Sequence, residues 1–157
     1  MELTSLMRDL VNAGHKVHTT IQHYEARPAT AQEADTLKIT EGTLVVHIER
    51  TRFADNEPIA VLTNLIPADI APTMQELESA SLYDLMRGRG VTLASARQII
   101  GARSATTKEA KLLSEHRGAA LLTSQRTTYD PSGRIVECGN HIYRASRYSF
   151  EASLFAQ

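Results

Sequence analysis

The sequence predicts an α+β domain: an antiparallel sheet flanked by helices, built from one unit used twice. Three observations predict it. Sliding the chain against itself by 76 positions aligns residues 5–66 with 81–142 without a gap and yields 17 identities, where chance gives roughly 4 at typical residue frequencies. Each unit reads helix, strand, helix, strand, turn, strand. The last two strands of each unit are joined by short polar turns, which impose antiparallel pairing. One unit used twice implies a pseudo-two-fold axis between the halves.

In the first unit, residues 3–13 place Leu3, Leu6, Met7, Leu10 and Val11 on one helical face stopped by Gly14. Residues 81–87 repeat this, with Ser81 as N-cap and Asp84 three positions on. Strands are expected over Val17–Arg27 and Val91–Arg103, and short Thr-initiated helices over Thr30–Leu37 and Thr106–Leu113. Gly42 and Gly118 then open strands at Leu44–Ala54 and Ala119–Tyr129. Turns at 55–58 and 130–133 lead into return strands at Ile59–Ile66 and Arg134–Tyr148. Residues 67–80 read as the connection between units, so the chain 1–157 is one domain with a duplicated core.

Composition limits the function. The chain is 42% hydrophobic with a formal charge of -1, which excludes disorder. No 18-residue stretch is free of charge, and no basic stretch at the start leads into an apolar run, so neither a membrane span nor a signal peptide is expected. Cys138 alone precludes an internal disulfide framework and fits a reducing, cytoplasmic setting. Near-neutral balance argues against this chain gripping a DNA backbone by itself. The charge is uneven, however: residues 1–86 hold 6 Lys/Arg and 13 Asp/Glu, and residues 87–147 hold 11 and 4. Such charges form a solvated mixed surface, or the halves attract each other, or the basic half walls a small anionic ligand.

Candidate binding residues follow from strand parity. Arg50 and Arg52 share one face of a strand; they are surface cations on an exposed face, or they repel unless an anion, or an acidic neighbour such as Glu49 or Glu57, lies between them. Ser79 and Ser81 precede a helix start, where free N–H groups favour anions. Glu137, Gly139, His141 and Tyr143 form the polar face of the last strand, which suits either solvent or the hydroxyls of a ligand. The six histidines show no metal-ligand spacing, Cys138 has no evident partner base, and no nucleotide-binding or hydrolase motif occurs. No metal, cofactor or catalytic residue is therefore expected.

The segments GHKVHTTI, ERTRFADNEPIAVLTNLIP, SASLYDLM, GARSATTKEAKLL and YDPSGRIVECGNHIYRASRYSF resemble the UTRA domain, the effector-binding domain of the HutC subfamily of GntR transcriptional regulators. The likeness covers residues 3–150. It implies a chorismate lyase-like fold and a homodimeric, non-enzymatic regulator. In this scheme a small anionic effector, a sugar phosphate or carboxylate, controls operator DNA binding by a winged helix-turn-helix domain absent from this chain. Carried over by motif, Arg50, Arg52, Ser79 and Ser81 hold the anion. Thr19 or Thr20, with Thr20 preferred, lies near the pocket, and Glu137 and Tyr143 meet the rest of the ligand. Leu62 stands where many members have Glu, which disfavours an amino sugar phosphate. Two other readings compete: a chorismate lyase-like enzyme that uses Glu137 as acid, and a dimerisation module without ligand.

Overall fold

A computed structural model describes residues 14–156. Its sheet is six-stranded and wholly antiparallel: β1 (Val17–Pro28), β2 (Leu44–Ala54), β3 (Glu57–Pro67), β4 (Ser95–Ser104), β5 (Ala120–Tyr129) and β6 (Ile135–Arg144). The spatial order β1-β2-β3-β6-β5-β4 is palindromic in the two units. The return strands β3 and β6 meet at the centre, and the pseudo-two-fold passes between them near Thr63 and Asn140, which are paired. The expected helix at 3–13 lies outside the described residues.

The helices are α1 (Ala31–Leu37), α2 (Met74–Leu77), α3 (Leu82–Gly88) and α4 (Thr107–Leu112). The duplicated helices α1 and α4 start alike. Thr30 and Thr106 each accept from the backbone N–H three residues on, while Glu33 and Glu109 return the bond to the cap. Arg27 and Arg103 then clamp the same two glutamates at 2.5 and 2.6 Å. Both helices cover one face of the sheet. Ala34 and Leu37 of α1 pack with Val45 and Cys138, and Ala110 of α4 with Leu113, Val61, Leu121 and Ile142. The opposite face carries α2 and α3, where Leu77, Leu82, Tyr83 and Met86 lie on Val46, Ile48 and Ile66. Leu113 is fully buried. Leu113→Ala is expected to cost about 2–5 kcal/mol in a urea melt, the usual range for a buried leucine truncated to alanine.

The structure departs from the sequence reading in five places. Strand β4 begins at Ser95, not Val91, and β6 ends at Arg144. The connection at 67–80 contains a 3-10 turn at Ala68–Ile70 and the capped helix α2. The gapless repeat hides a difference in the hairpins: Asp55 and Asn56, both at positive φ, make a two-residue turn, whereas 130–134 form a longer loop. Consequently Asn64 and Asn140, aligned in sequence, fall on opposite faces: Asn64 pairs with Gly139, and Asn140 with Thr63. A bulge between Ile21 and His23 in β1, absent from β4, likewise separates Gln22 from Gln98. Gln22 hydrogen-bonds Thr51 and Glu49 on the α1/α4 side, and Gln98 reaches Arg126 on the other. One folding unit therefore yields two unlike halves.

Part of the charge asymmetry resolves into bridges between the halves. Arg134 meets Asp69 at 2.7 Å, and Glu57 takes Arg144 at 3.3 Å and Arg147 at 2.7 Å.

Candidate anion-binding site

Pairing across the central strands brings a set of polar residues onto the face that carries α3. One row holds Arg52, Ala60, Tyr143 and Leu122, the next Arg50, Leu62, His141 and Ser124, and the next Ile48, Asn64, Gly139 and Arg126. Each step along a strand by two residues keeps the side chain on the same side. Arg50, Arg52, Asn64, Glu137, His141, Tyr143, Arg126 and Thr128 therefore share one side.

Glu137 is fully buried. It does not face solvent, as polar-out alternation allowed. Its Oε1 accepts from Asn64 Nδ2 at 2.7 Å; its Oε2 accepts from Thr128 Oγ1 at 3.0 Å and Tyr83 OH at 3.2 Å. Burial pushes its pKa up, opposed by those three donors and by Arg126. Asn64 Oδ1 in turn accepts from Arg50 Nη2 at 3.0 Å, so a relay Glu137–Asn64–Arg50 fixes that guanidinium. Gly139 makes this packing feasible, since a Cβ there would sit 2.8 Å from Glu137 Oε1 and 2.7 Å from His141 Nε2.

Arg52 has no such relay. It is 3% exposed, and its Nε and Nη1 are buried without a hydrogen-bond partner, as is Nε of Arg50. Burial pulls the Arg50 pKa down to about 10 and, with Arg50 beside it, that of Arg52 to about 9, so both are cations at neutral pH. The acidic neighbours on the same strands do not neutralise them: Glu49 pairs across from His23, in the parity of the opposite face, and Glu57 serves Arg144 and Arg147. His141 lies among the arginines. Burial and then Arg50, Arg126 and Arg52 hold its pKa down to about 3, so it is neutral, with Nδ1 unpartnered. Buried polar groups are nearly always satisfied, and a buried unpaired charge costs several kcal/mol. Unpartnered nitrogens of two buried cations and a neutral histidine are thus gathered on one face.

Of the residues singled out from the sequence, Arg50, Arg52, Glu137 and Tyr143 come together on this face. Ser81 is buried at the start of α3, where its Oγ accepts from Asp84 N, two residues before Tyr83. Ser79 is exposed, and its hydroxyl turns back to the Glu76 carbonyl at 3.4 Å. Thr20 is exposed and pairs with Thr51, which puts it in the parity of the opposite face; Thr19, paired with Arg52, has the parity of the site. Sequence reasoning passed over Asn64, Tyr83, Thr128 and Arg126 as site residues. The repeat did align Arg126 with Arg50, the one signal that pointed to it.

The other face carries a cleft of about 540 Å³ beside α4, lined by Thr63, Thr123, Gln125, Asn140, Arg103 and Glu109 among others. Its arginine is already clamped by Glu109, whose pKa falls to about 2. Cys138 is buried and its thiol is pushed up to about 11, so it is neutral. Among the described residues no group of three or more His, Cys, Asp or Glu could hold a metal ion, and no helix is long and apolar enough to cross a membrane.

Residues 12–149 match the UTRA domain family. The chain belongs to that family. The HTH-type transcriptional repressor NagR of Bacillus subtilis is 30% identical over 150 residues, which cover 94% of this chain and 62% of NagR. The chain thus spans less than two thirds of that relative. A transcriptional regulator from Streptomyces coelicolor of known structure is 46% identical, with a TM-score of 0.83 over 91% of this chain and 96% of that one. The effector domain of PhnF from Mycobacterium smegmatis, 23% identical, superposes with a TM-score of 0.91 over 99% and 98% of the two chains and shows the same fold. These UTRA relatives are regulators of transcription, and the six-stranded antiparallel sheet fits the chorismate lyase-like architecture. Both oxygens of Glu137, the acid of the enzyme reading, are engaged by protein donors.

Proposed function

We propose that this UTRA domain is the effector sensor of a GntR-type regulator of the HutC subfamily, and that it binds a small anionic metabolite on the α3 face of its sheet. The observation that carries this reading is Arg52: a cation 3% exposed, with Nε and Nη1 unpartnered beside the equally buried Arg50. A phosphate ester or carboxylate supplies the missing acceptors and the missing charge. Ser81, and Ser79 once its hydroxyl is released from Glu76, extend the anion seat from the start of α3. Tyr143 meets the body of the ligand, and Glu137 acts through Asn64 to aim Arg50.

With both arginines this deeply buried, an effector reaches them only as the covering chain moves, and that movement couples binding to the rest of the regulator. The domain works as a homodimer, matching a two-fold operator, with DNA held by a winged helix-turn-helix domain outside this chain. The effector shifts the balance of two states by its differential affinity, typically about 1–3 kcal/mol, or roughly 5–150-fold in operator affinity.

Calorimetric titration with glucose 6-phosphate across pH tests the anion seat. Affinity is expected to rise from pH 5 to 7 as the ester loses its second proton near about pH 6, and to hold level to pH 8. It then falls as pH passes about 9, where Arg52 begins to lose its proton. The sign follows because only charged Arg52 attracts the ester, and the bound ester raises the pKa of Arg52. Affinity that is level from pH 8 to 10.5 contradicts the assignment.

A further inference from the structure

We propose that the effector carries two separated acidic groups, one held by Arg50 and Arg52 and the other by Arg126, so that it bridges the two repeat halves. This rests on the effector-site reading above and names the ligand class for that site.

Arg126 is the repeat counterpart of Arg50, and its partners are all neutral. Its Nε and Nη2 donate to Gln98 Oε1 at 2.9 and 2.6 Å, and its Nη1 to Tyr83 OH at 3.5 Å. The arginines that serve structure in this chain are treated differently. Arg27 and Arg103 have Glu33 and Glu109, Arg134 has Asp69, and Arg144 has Glu115 and Glu57. Among the described residues Arg50, Arg52 and Arg126 have no carboxylate within ion-pair distance, and these three share one face. Glu137 is the carboxylate nearest to them in register, and its oxygens already accept three hydrogen bonds. Even with Glu137 ionised, three cations face one anion; a phosphate ester at Arg50 and Arg52 supplies charge only at that end, and Arg126 keeps only neutral partners, so each end takes its own negative group.

Their placement says where those charges belong. Arg50 and Arg126 lie on β2 and β5, three strands apart and one row out of step. At about 4.8 Å per strand the backbones are roughly 15 Å apart, a span that two long side chains and a body of about one sugar unit would fill once the covering chain has moved. His141 stands between them in the middle row and is influenced by all three guanidinium groups. Beside it is Leu62, 4% exposed, directly paired with Arg50. An apolar side chain at that position offers nothing to an ammonium group, and the surrounding field repels one. The class favoured is therefore a phosphorylated sugar acid or similar hydroxylated two-headed acid, and an amino sugar phosphate is the least suited.

Isothermal titration of the chain with 6-phosphogluconate, glucose 6-phosphate and glucosamine 6-phosphate tests this. 6-Phosphogluconate is expected to bind at least about 10-fold more tightly than glucose 6-phosphate, whose sugar end is uncharged, for one added charge-assisted contact, with glucosamine 6-phosphate weakest. In Arg126→Gln that ratio collapses toward one. Gln98→Glu, which keeps Arg126 but gives it an internal carboxylate, collapses it as well, so a folding defect in one variant does not leave the matter open. Equal binding of 6-phosphogluconate and glucose 6-phosphate by the unaltered chain, or a ratio unchanged in both variants, overturns the inference while the anion seat on Arg52 stands. If none of the three esters binds, the inference and the effector reading fall together.

Discussion

Replacing Arg52 with methionine raises the melting temperature of the free domain and removes its response to phosphate esters. The two effects share one cause. In the free domain the Arg52 cation is buried beside Arg50 with Nε and Nη1 unpartnered, and desolvation is uncompensated. Methionine of similar length fills the space without charge. A gain of about 1–3 kcal/mol is expected, or roughly 2–10 °C for a domain of this size. The same cation is what an effector uses, so affinity for a phosphate ester falls by about 10- to 150-fold, the loss of one or two hydrogen bonds to a charged group. Thermal melts with and without glucose 6-phosphate read both effects. A structural arginine gives the opposite sign: its removal lowers the melting temperature.

Glu137→Leu has the largest expected cost in stability. Asn64, Tyr83 and Thr128 lose their shared acceptor, Arg50 loses the far end of its relay, and three arginines lose the one carboxylate that offsets them. Removing one partner from a buried charged network typically costs about 3–5 kcal/mol. A urea melt measures it, and a loss below about 1 kcal/mol contradicts the network described here. Glu137→Gln keeps the shape but points an amide into a cluster of donors, and it falls between the two.

Much of the architecture was legible because its signals are local. Strand β2 runs over Leu44–Ala54 as read, and the capping boxes at Thr30 and Thr106 start their helices as the Glu spacing requires. Parity along the last strand correctly grouped Glu137, His141 and Tyr143. Parity does not say whether a face is roofed or wet. Hence the same alternation read equally well as solvent for Glu137, which is fully buried. A single bulge residue, Gln22, inverts face assignments along part of β1, and no propensity announces it; Thr19 and Thr20 came from the motif alone, which does not say which of two neighbours faces the site. The helix at Met74–Leu77 is four residues long, too short for a periodic signal. Ser79 was grouped with Ser81 by proximity in sequence, but its hydroxyl caps a carbonyl of the preceding turn. The repeat matched Arg126 to Arg50, but its place on the same face as Glu137 emerges only when the sheet brings β5 beside β6.

A crystal structure of the domain grown in sulfate or phosphate is the most direct test of the central claim. A tetrahedral anion is expected within hydrogen-bond distance of Arg52 Nε or Nη1 and Arg50 Nε, on the side of the sheet that carries α3. Clear density in which carboxylates of the protein cap those same nitrogens, with no anion present at tens of millimolar sulfate, would contradict it.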